Sequence, residues 1–404
     1  MAQITRADEK PLLRIAVVGH VDHGKSTLIG RIRHELSSLP GTAAVDPSVA
    51  GNWAFVTDQL QEEREREMTI DTTQTFLDTP ACRLVFIDVP GHQELIQNML
   101  TGATRADAAV LVLAADEGVR AQTKRHALLL SMLGIRTMII AVNKMDTVGM
   151  REEDFRTLED SVRAELQGLA ITVTAMVPVV ARDGVNVVAR STAIPWYQGP
   201  SVMEALAEVE PVAASFSAVR FPVQDVYRRG RPTVVGKLLS GTISEGDRLT
   251  VCPASGTLTV TEIRRFPENH APVEAGESVG LFVEGRMPTR GDVLAPADDL
   301  PLIGRGFSGR VFWLAAEPLR VGEEIFLRCA TQSVKVRVEE VSAKLDSATL
   351  DPLPDAPSLA SMELATVRVS AGQPVVLERF ERVPGLGRFV LERGGTPCGF
   401  GVVA

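Results

Sequence analysis

The chain has 404 residues, 45% of them hydrophobic and 23% charged, with a formal net charge of -9. Its length predicts two or three domains, its composition excludes a disordered chain, and its acidity excludes a strongly basic nucleic-acid footprint over the whole molecule. Four scattered cysteines (Cys82, Cys252, Cys329 and Cys398) exclude a disulfide framework, the start lacks an apolar signal core, and the apolar runs are too short to span a bilayer, so a cytoplasmic protein is expected.

In chain order, apolar runs at residues 13–19, 83–88, 108–114 and 138–143 read as buried strands bounded by turn residues. Segments of helical period accompany them at 25–36, 95–103, 123–133 and 152–167. The alternation predicts a parallel sheet with helices on both faces. A closing helix is expected at 201–209, where Ser201 can cap and Glu204 follows three residues later. Beyond Pro211 the pattern changes to short alternating strands at 221–227, 233–239, 248–252, 258–266 and 278–283. A second such series starts near Gly309, and two barrels of about 90–100 residues each fit the spacing. Residues 296–301 read as a linker and the proline-rich 351–357 as a surface loop.

Three motifs carry chemistry. Gly19-His20-Val21-Asp22-His23-Gly24-Lys25-Ser26 fits the phosphate-loop pattern GxxxxGK[ST], followed by Thr27, and stands between a predicted strand and a predicted helix. Its glycines let backbone N–H groups turn inward around phosphates, and the helix N-terminus adds its positive dipole end. Lys25 is placed to reach the β- and γ-phosphates, and the Ser26 hydroxyl to ligate Mg²⁺. Asp88-Val89-Pro90-Gly91-His92 follows the second strong strand. There Asp88 can hold Mg²⁺ through a water, and the Gly91 N–H can sense the γ-phosphate. Asn143-Lys144-Met145-Asp146 closes another strand. The Asp146 carboxylate can accept both hydrogen bonds of the guanine N1–H and N2–H₂ edge, which selects GTP over ATP. Asn143 is expected near guanine N7, tying the base loop to the phosphate loop, with the Lys144 stem over the ring.

These residues resemble the translation-factor superfamily of GTPases: GHVDHGKST, DVPGH and NKMD stand in that order. The end of the chain, residues 394–403, resembles the last strand of the third domain of elongation factors of the Tu type. The resemblance therefore covers roughly residues 12–404. It implies an α/β P-loop GTPase domain at 13–211 after a short tail at 1–12, then β-barrel domains at 212–300 and 301–404. Stretches outside the nucleotide motifs are most similar to the large, GTPase subunit of bacterial sulfate adenylyltransferase. They include DQLQEEREREMTIDT at 58–72, PWYQGP at 195–200 and RFPVQDV at 220–226. That likeness implies a GTP-hydrolysing subunit with Mg²⁺, docked to a small ATP-pyrophosphatase-type catalytic subunit that makes adenosine 5′-phosphosulfate from ATP and sulfate. The alternatives are an elongation factor delivering aminoacyl-tRNA, and a sulfur-activating homologue of a specialised pathway. No membrane is implied, and nucleic acid only under the tRNA reading.

Several roles rest on the resemblance alone. His92 would orient the attacking water, against the plainer reading of a histidine at a helix start. Thr69 would bring its hydroxyl to Mg²⁺ in the GTP state, with Thr72 and Thr73 close by. Ala181 would offer its N–H to guanine O6. The sulfate enzyme usually has Ser and Asp where His20 and His23 stand, and the family's Ser-Ala-Leu guanine loop is Val180-Ala181-Arg182 here. His20 and His23 are spaced like metal ligands, but no third Cys or His is near in sequence, and zinc is not expected. Asp22 either lines the γ-phosphate pocket or faces solvent. Trp196 and Tyr197 are expected to fill an interface between the first domain and the first barrel. Arg228, Arg229 and Arg231 read as an exposed hairpin loop, and the charged run 62–67 as a solvated helix end.

Overall fold

A computed structural model describes residues 10, 12–37, 73–79, 82–88, 106–210, 216–228, 230–265 and 272–403. The chain divides into two compact units, Met1–Val212 and Ala213–Ala404.

The first unit holds a six-stranded sheet of β1 (Leu12–Gly19), β2 (Thr73–Asp78), β3 (Arg83–Asp88), β4 (Ala108–Ala114), β5 (Thr137–Asn143) and β6 (Thr172–Pro178), in the order β2-β3-β1-β4-β5-β6. Every residue of β4 is buried, and so is all of β5 after Thr137, so both faces of the sheet centre are covered. This explains why these strands are near-continuous apolar runs. The helices are α1 (Lys25–Ser37), α2 (Ala121–Met132), α3 (Glu152–Glu165) and α4 (Val202–Ala207). As expected, α4 opens with a reciprocal cap: the Glu204 N–H donates to Ser201 Oγ at 3.2 Å, and the Ser201 N–H to Glu204 Oε2 at 2.7 Å.

One feature corrects the sequence reading, and a second adds to it. The strands β2 and β6 were not foreseen, and β2 runs antiparallel to β3, so the sheet is mixed. Trp196 and Tyr197 also find their partners inside the first unit. The Trp196 indole donates to Met150 O at 2.8 Å and stacks 5.4 Å from Phe155 of α3. The Tyr197 hydroxyl donates to Pro200 O at 2.8 Å. These rings close the end of the sheet domain, because each polar tip has a backbone carbonyl within reach. The helix expected at 95–103 and the charged run 62–67 lie outside the described residues.

The second unit contains two closed antiparallel barrels. The first runs Arg248–Cys252, Thr257–Arg264, Ser278–Gly285, Thr233–Lys237, Phe221–Tyr227, Val293–Ala295 and back to the start. The second runs Leu302–Trp313, Glu363–Leu377, Gln332–Asp346, Glu324–Cys329, Arg388–Arg393, Thr396–Val403 and back. Closure removes the exposed sheet edges that short strands otherwise leave. The architecture is thus an α/β P-loop domain followed by two β-barrels, the three-domain layout of elongation-factor-Tu type. The linker at 296–301 is held down: Asp299 accepts from Arg220 at 3.1 Å and from Arg382 at 2.7 Å. In the loop after Tyr227, Arg231 bonds Glu262 at 2.6 Å and lies 4.3 Å over the Phe282 ring, while Arg229 is outside the described residues. Among the described residues no helix is long and apolar enough to cross a membrane.

Candidate functional site

The carboxyl ends of β1, β3, β4 and β5 bring the sequence motifs together. This is where open α/β sheets bind ligands. β1 delivers Gly19, and the chain turns through residues 20–24 into α1 at Lys25. Two glycines are dictated by space. A Cβ on Gly19 would lie 2.3 Å from Val112 O, and one on Gly24, at φ +88°, would lie 2.3 Å from Asn143 Nδ2. Lys25 is buried, and its Nζ donates to His20 O at 3.0 Å. Asp22 is exposed, with φ at 63°, which fits the solvent-facing reading.

At the start of α1, Ser26 Oγ donates to Asp88 Oδ2 at 2.8 Å. Asp88 ends β3 and is fully buried. The two residues expected to serve the metal therefore meet, although 62 positions separate them. A hydroxyl and a carboxylate form an oxygen-only donor pair, which fits Mg²⁺. Thr69, Gly91 and His92 lie outside the described residues.

Asn143 ends β5 and is nearly buried. Its amide Nδ2 donates to His23 O at 2.8 Å, and its Oδ1 accepts the Ala181 N–H at 2.9 Å. One side chain thus ties three loops, as expected for the phosphate–base link. The same bond engages the Ala181 N–H, which the resemblance assigned to guanine O6. Lys144 adopts left-handed backbone, φ 59° and ψ 35°, a strain that recurs at functional sites in non-glycine residues. Asp146 lies beyond it, exposed on a short 3₁₀ turn. Its Oδ2 accepts from Arg182 Nη2 at 3.3 Å.

Around Val180 the loop is closed by backbone bonds. Val180 and Val185 exchange N–H···O bonds of 3.3 and 3.2 Å across the loop. Asn186, fully buried, braces the same loop by donating to Pro178 O at 2.9 Å and accepting the Ser191 N–H at 2.7 Å. Sequence reasoning missed Asn186. The one available signal was a polar residue two places after Gly184 in an otherwise apolar stretch. It also missed Glu117, just after β4, whose Oε2 lies 3.4 Å from His23 Nε2.

Two family models match the chain. Residues 10–248 match the family model described as elongation factor Tu GTP binding domain. Residues 306–404 match the GTP-eEF1A C-terminal domain-like family. The chain is 36% identical to elongation factor 1-alpha of Thermococcus onnurineus (strain NA1), over 98% of each chain. It is likewise 36% identical to elongation factor 1-alpha of Pyrococcus horikoshii, again over 98% of each. A crystal structure of sup35 complexed with GDP is 26% identical, covering 100% of this chain and 97% of that one, with a TM-score of 0.46. With its phosphate loop, its Ser26–Asp88 pair and its guanine loop assembled at one sheet end, the chain belongs to the translation-factor family of GTPases.

Proposed function

We propose that this GTPase acts as a GTP-gated carrier of elongation-factor type, with aminoacyl-tRNA as its cargo. The observation that carries the reading is the unbroken likeness to proteins named elongation factor 1-alpha, 36% identity over 98% of both chains. The net charge of -9 does not oppose it, because a local patch suffices for RNA contact. In this reading Lys25 and the loop N–H groups hold the phosphates, and Asp146 reads the guanine edge. Ser26 and Asp88, with Thr69, hold Mg²⁺, which when bound neutralises phosphate charge. Positioning supplies most of the rate in such phosphoryl transfer, and His92 is assigned the orientation of the attacking water. Gly91 reports the γ-phosphate to the segment that follows it. The order of that segment then favours one cargo-holding state over another.

The test is protection of aminoacyl-tRNA against spontaneous deacylation by the full chain. Protection with a non-hydrolysable GTP analogue, lost with GDP, is the expected result. Equal deacylation with and without protein would refute the reading.

The second reading is the GTPase subunit of a sulfate adenylyltransferase, partnered by a small ATP-using subunit. Its support is the stretches at 195–200 and 220–226. The structure gives both a packing role: Trp196 and Tyr197 fill the first unit, and Arg220 is a buried ion-pair residue. A packing role can persist whatever the substrate, so these stretches weigh less than the whole-length likeness. GTP-dependent release of pyrophosphate from ATP and sulfate, after co-expression with the neighbouring gene product, would restore this reading.

A further inference from the structure

We propose that His20, His23 and Glu117 form a binding site for a transition-metal ion of zinc type, distinct from the Ser26–Asp88 oxygen pair. The three donor atoms all lie within 4.8 Å of one another. His20 and His23 come from the loop between β1 and α1, while Glu117 follows β4, 94 positions beyond His23. Sequence spacing therefore shows two ligands, and the fold supplies the third.

The hydrogen bonds around the rings set their orientation. His20 Nδ1 donates to Val21 O at 2.9 Å, and His23 Nδ1 donates to Val112 O at 3.2 Å. A carbonyl only accepts, so in the tautomer that satisfies these two bonds each neutral ring carries its proton on Nδ1 and has its lone pair at Nε2. Anchoring one ring nitrogen on a backbone carbonyl is the second-sphere arrangement that metal-bound histidines use. The ring centroids are 5.2 Å apart.

His23 Nε2 then faces Glu117 Oε2 at 3.4 Å. With a neutral ring, two acceptors oppose each other. A proton on Nε2 or a cation between the two would relieve this. A tetrahedral ion about 2.1 Å from each donor sets neighbouring donors about 3.4 Å apart, which matches the His23–Glu117 pair, and His20 lies within 4.8 Å of both. Two imidazoles and one carboxylate suit zinc rather than magnesium or calcium, and a fourth position remains for water. His23 is fully buried, but the Glu117 side chain is 30% exposed, so an ion can enter from that side.

The site has a consequence for the phosphate loop. Lys25 Nζ is held by His20 O, and a metal pinned to His20 and His23 keeps the loop in that form. Zinc and triphosphate are then expected to oppose each other reciprocally.

The test is zinc titration of the metal-free, nucleotide-free full chain in buffer containing excess Mg²⁺, read by competition with a chromogenic chelator. One ion per chain is expected. Glu117→Gln and His20→Ala should each weaken binding roughly tenfold or more, and Cys82→Ser should leave it unchanged. Co²⁺ should give visible ligand-field bands without a thiolate charge-transfer band. Glu117→Gln is a near-isosteric change on a partly exposed loop, and circular dichroism checks that it folds. Absence of binding, displacement by Mg²⁺, a thiolate band, or affinity unmoved by Glu117→Gln would each overturn the proposal. The measurement uses no nucleotide and no cargo, so its outcome is separate from the function proposed above.

Discussion

The guanidinium of Arg182 reaches back to the guanine-reading carboxylate, with Arg182 Nη2 3.3 Å from Asp146 Oδ2. The same guanidinium also holds Asp183, at 3.1 Å. Arg182 stands where the family's guanine loop has an apolar residue, so the cation is an addition at the specificity edge. Its contact with Oδ2 competes with the guanine donors for the lone pairs of that oxygen. Arg182→Leu is therefore expected to tighten GDP binding by roughly two- to fivefold, as suits an exposed pair. A fluorescent-nucleotide titration reads this, and the gain should shrink at high salt because exposed pairs are screened. Weaker binding in the variant would show that Arg182 helps hold the base.

Asp146→Asn tests the base-reading role itself. The amide reverses one acceptor into a donor, so the guanine N1–H and N2–H₂ pair loses its match while xanthine gains one. Hydrogen bonds to a charged acceptor are each worth a factor of ten or more, so GTP affinity should fall roughly a hundredfold. XTP should become the preferred ligand. Competition between GTP and XTP for the variant measures the switch directly.

Asn143→Ala cuts the tie between the phosphate loop, β5 and the guanine loop. It leaves the Ala181 N–H and the His23 carbonyl without the bonds that Asn143 makes at 2.9 and 2.8 Å. Unsatisfied buried polar groups cost about 1–3 kcal/mol each, so a loss of about 2–4 kcal/mol is expected. Thermal unfolding of the nucleotide-free chain checks this without reference to catalysis. A change below about 0.5 kcal/mol would mean that water replaces the amide, as it can at ordinary surface sites.

The parts of this site that sequence reveals are those where one local pattern carries the whole signal. The phosphate loop is contiguous, and Asp88 and Asn143 each end an apolar run that can only be a buried strand. The edge strands were hidden because their patterns invert. In β2, Thr75 is buried while Phe76 is 64% exposed, so hydrophobicity and burial run out of phase. In β6 the first residues are exposed or half-buried, and only the last three are core. Pairings such as Arg182–Asp146 and His23–Glu117 depend on which strand ends the sheet order makes adjacent. No spacing rule within a single stretch contains that information. The partners of Trp196 and Tyr197 inside the first unit were hidden for a related reason: an aromatic pair signals burial but does not name the surface that buries it.

The second unit has its own test. Arg220 is fully buried and Glu378 almost so, and Arg220 Nε donates to Glu378 Oε1 at 2.7 Å. Phe216 lies against the guanidinium groups of Arg220 and Arg382, at 5.1 and 4.1 Å. Arg220→Met strands a carboxylate in the interior, which typically costs about 3–5 kcal/mol. The double change Arg220→Met with Glu378→Leu removes both charges and should recover much of that loss. Urea unfolding followed by far-ultraviolet circular dichroism separates the two outcomes. Equal stability of the single and double variants would mean that Asp299 and Arg382, rather than the direct pair, hold this corner.

His126, on α2, gives the first unit an acid-sensitive group. It is fully buried, and neither ring nitrogen has a hydrogen-bond partner among the described residues. Burial is the main reason its pKa falls to about 3, with Lys25, Arg125, His20 and His23 adding repulsion. The unfolded chain binds this proton below the ordinary histidine value of 6.5, whereas the folded chain does so only near 3. Between those limits the unfolded state holds more protons, so stability falls as the pH drops from 6.5 toward 3. The loss attributable to this one group is of the order of a few kcal/mol at the acid end. His126→Leu removes both the titration and two unsatisfied nitrogens while keeping an apolar side chain in the core. Its unfolding free energy should therefore exceed the wild type's by more at pH 5 than at pH 7.5, as read by urea titration at each pH. A difference that is constant between the two pH values would mean that the ring finds a proton acceptor in the folded chain and titrates normally.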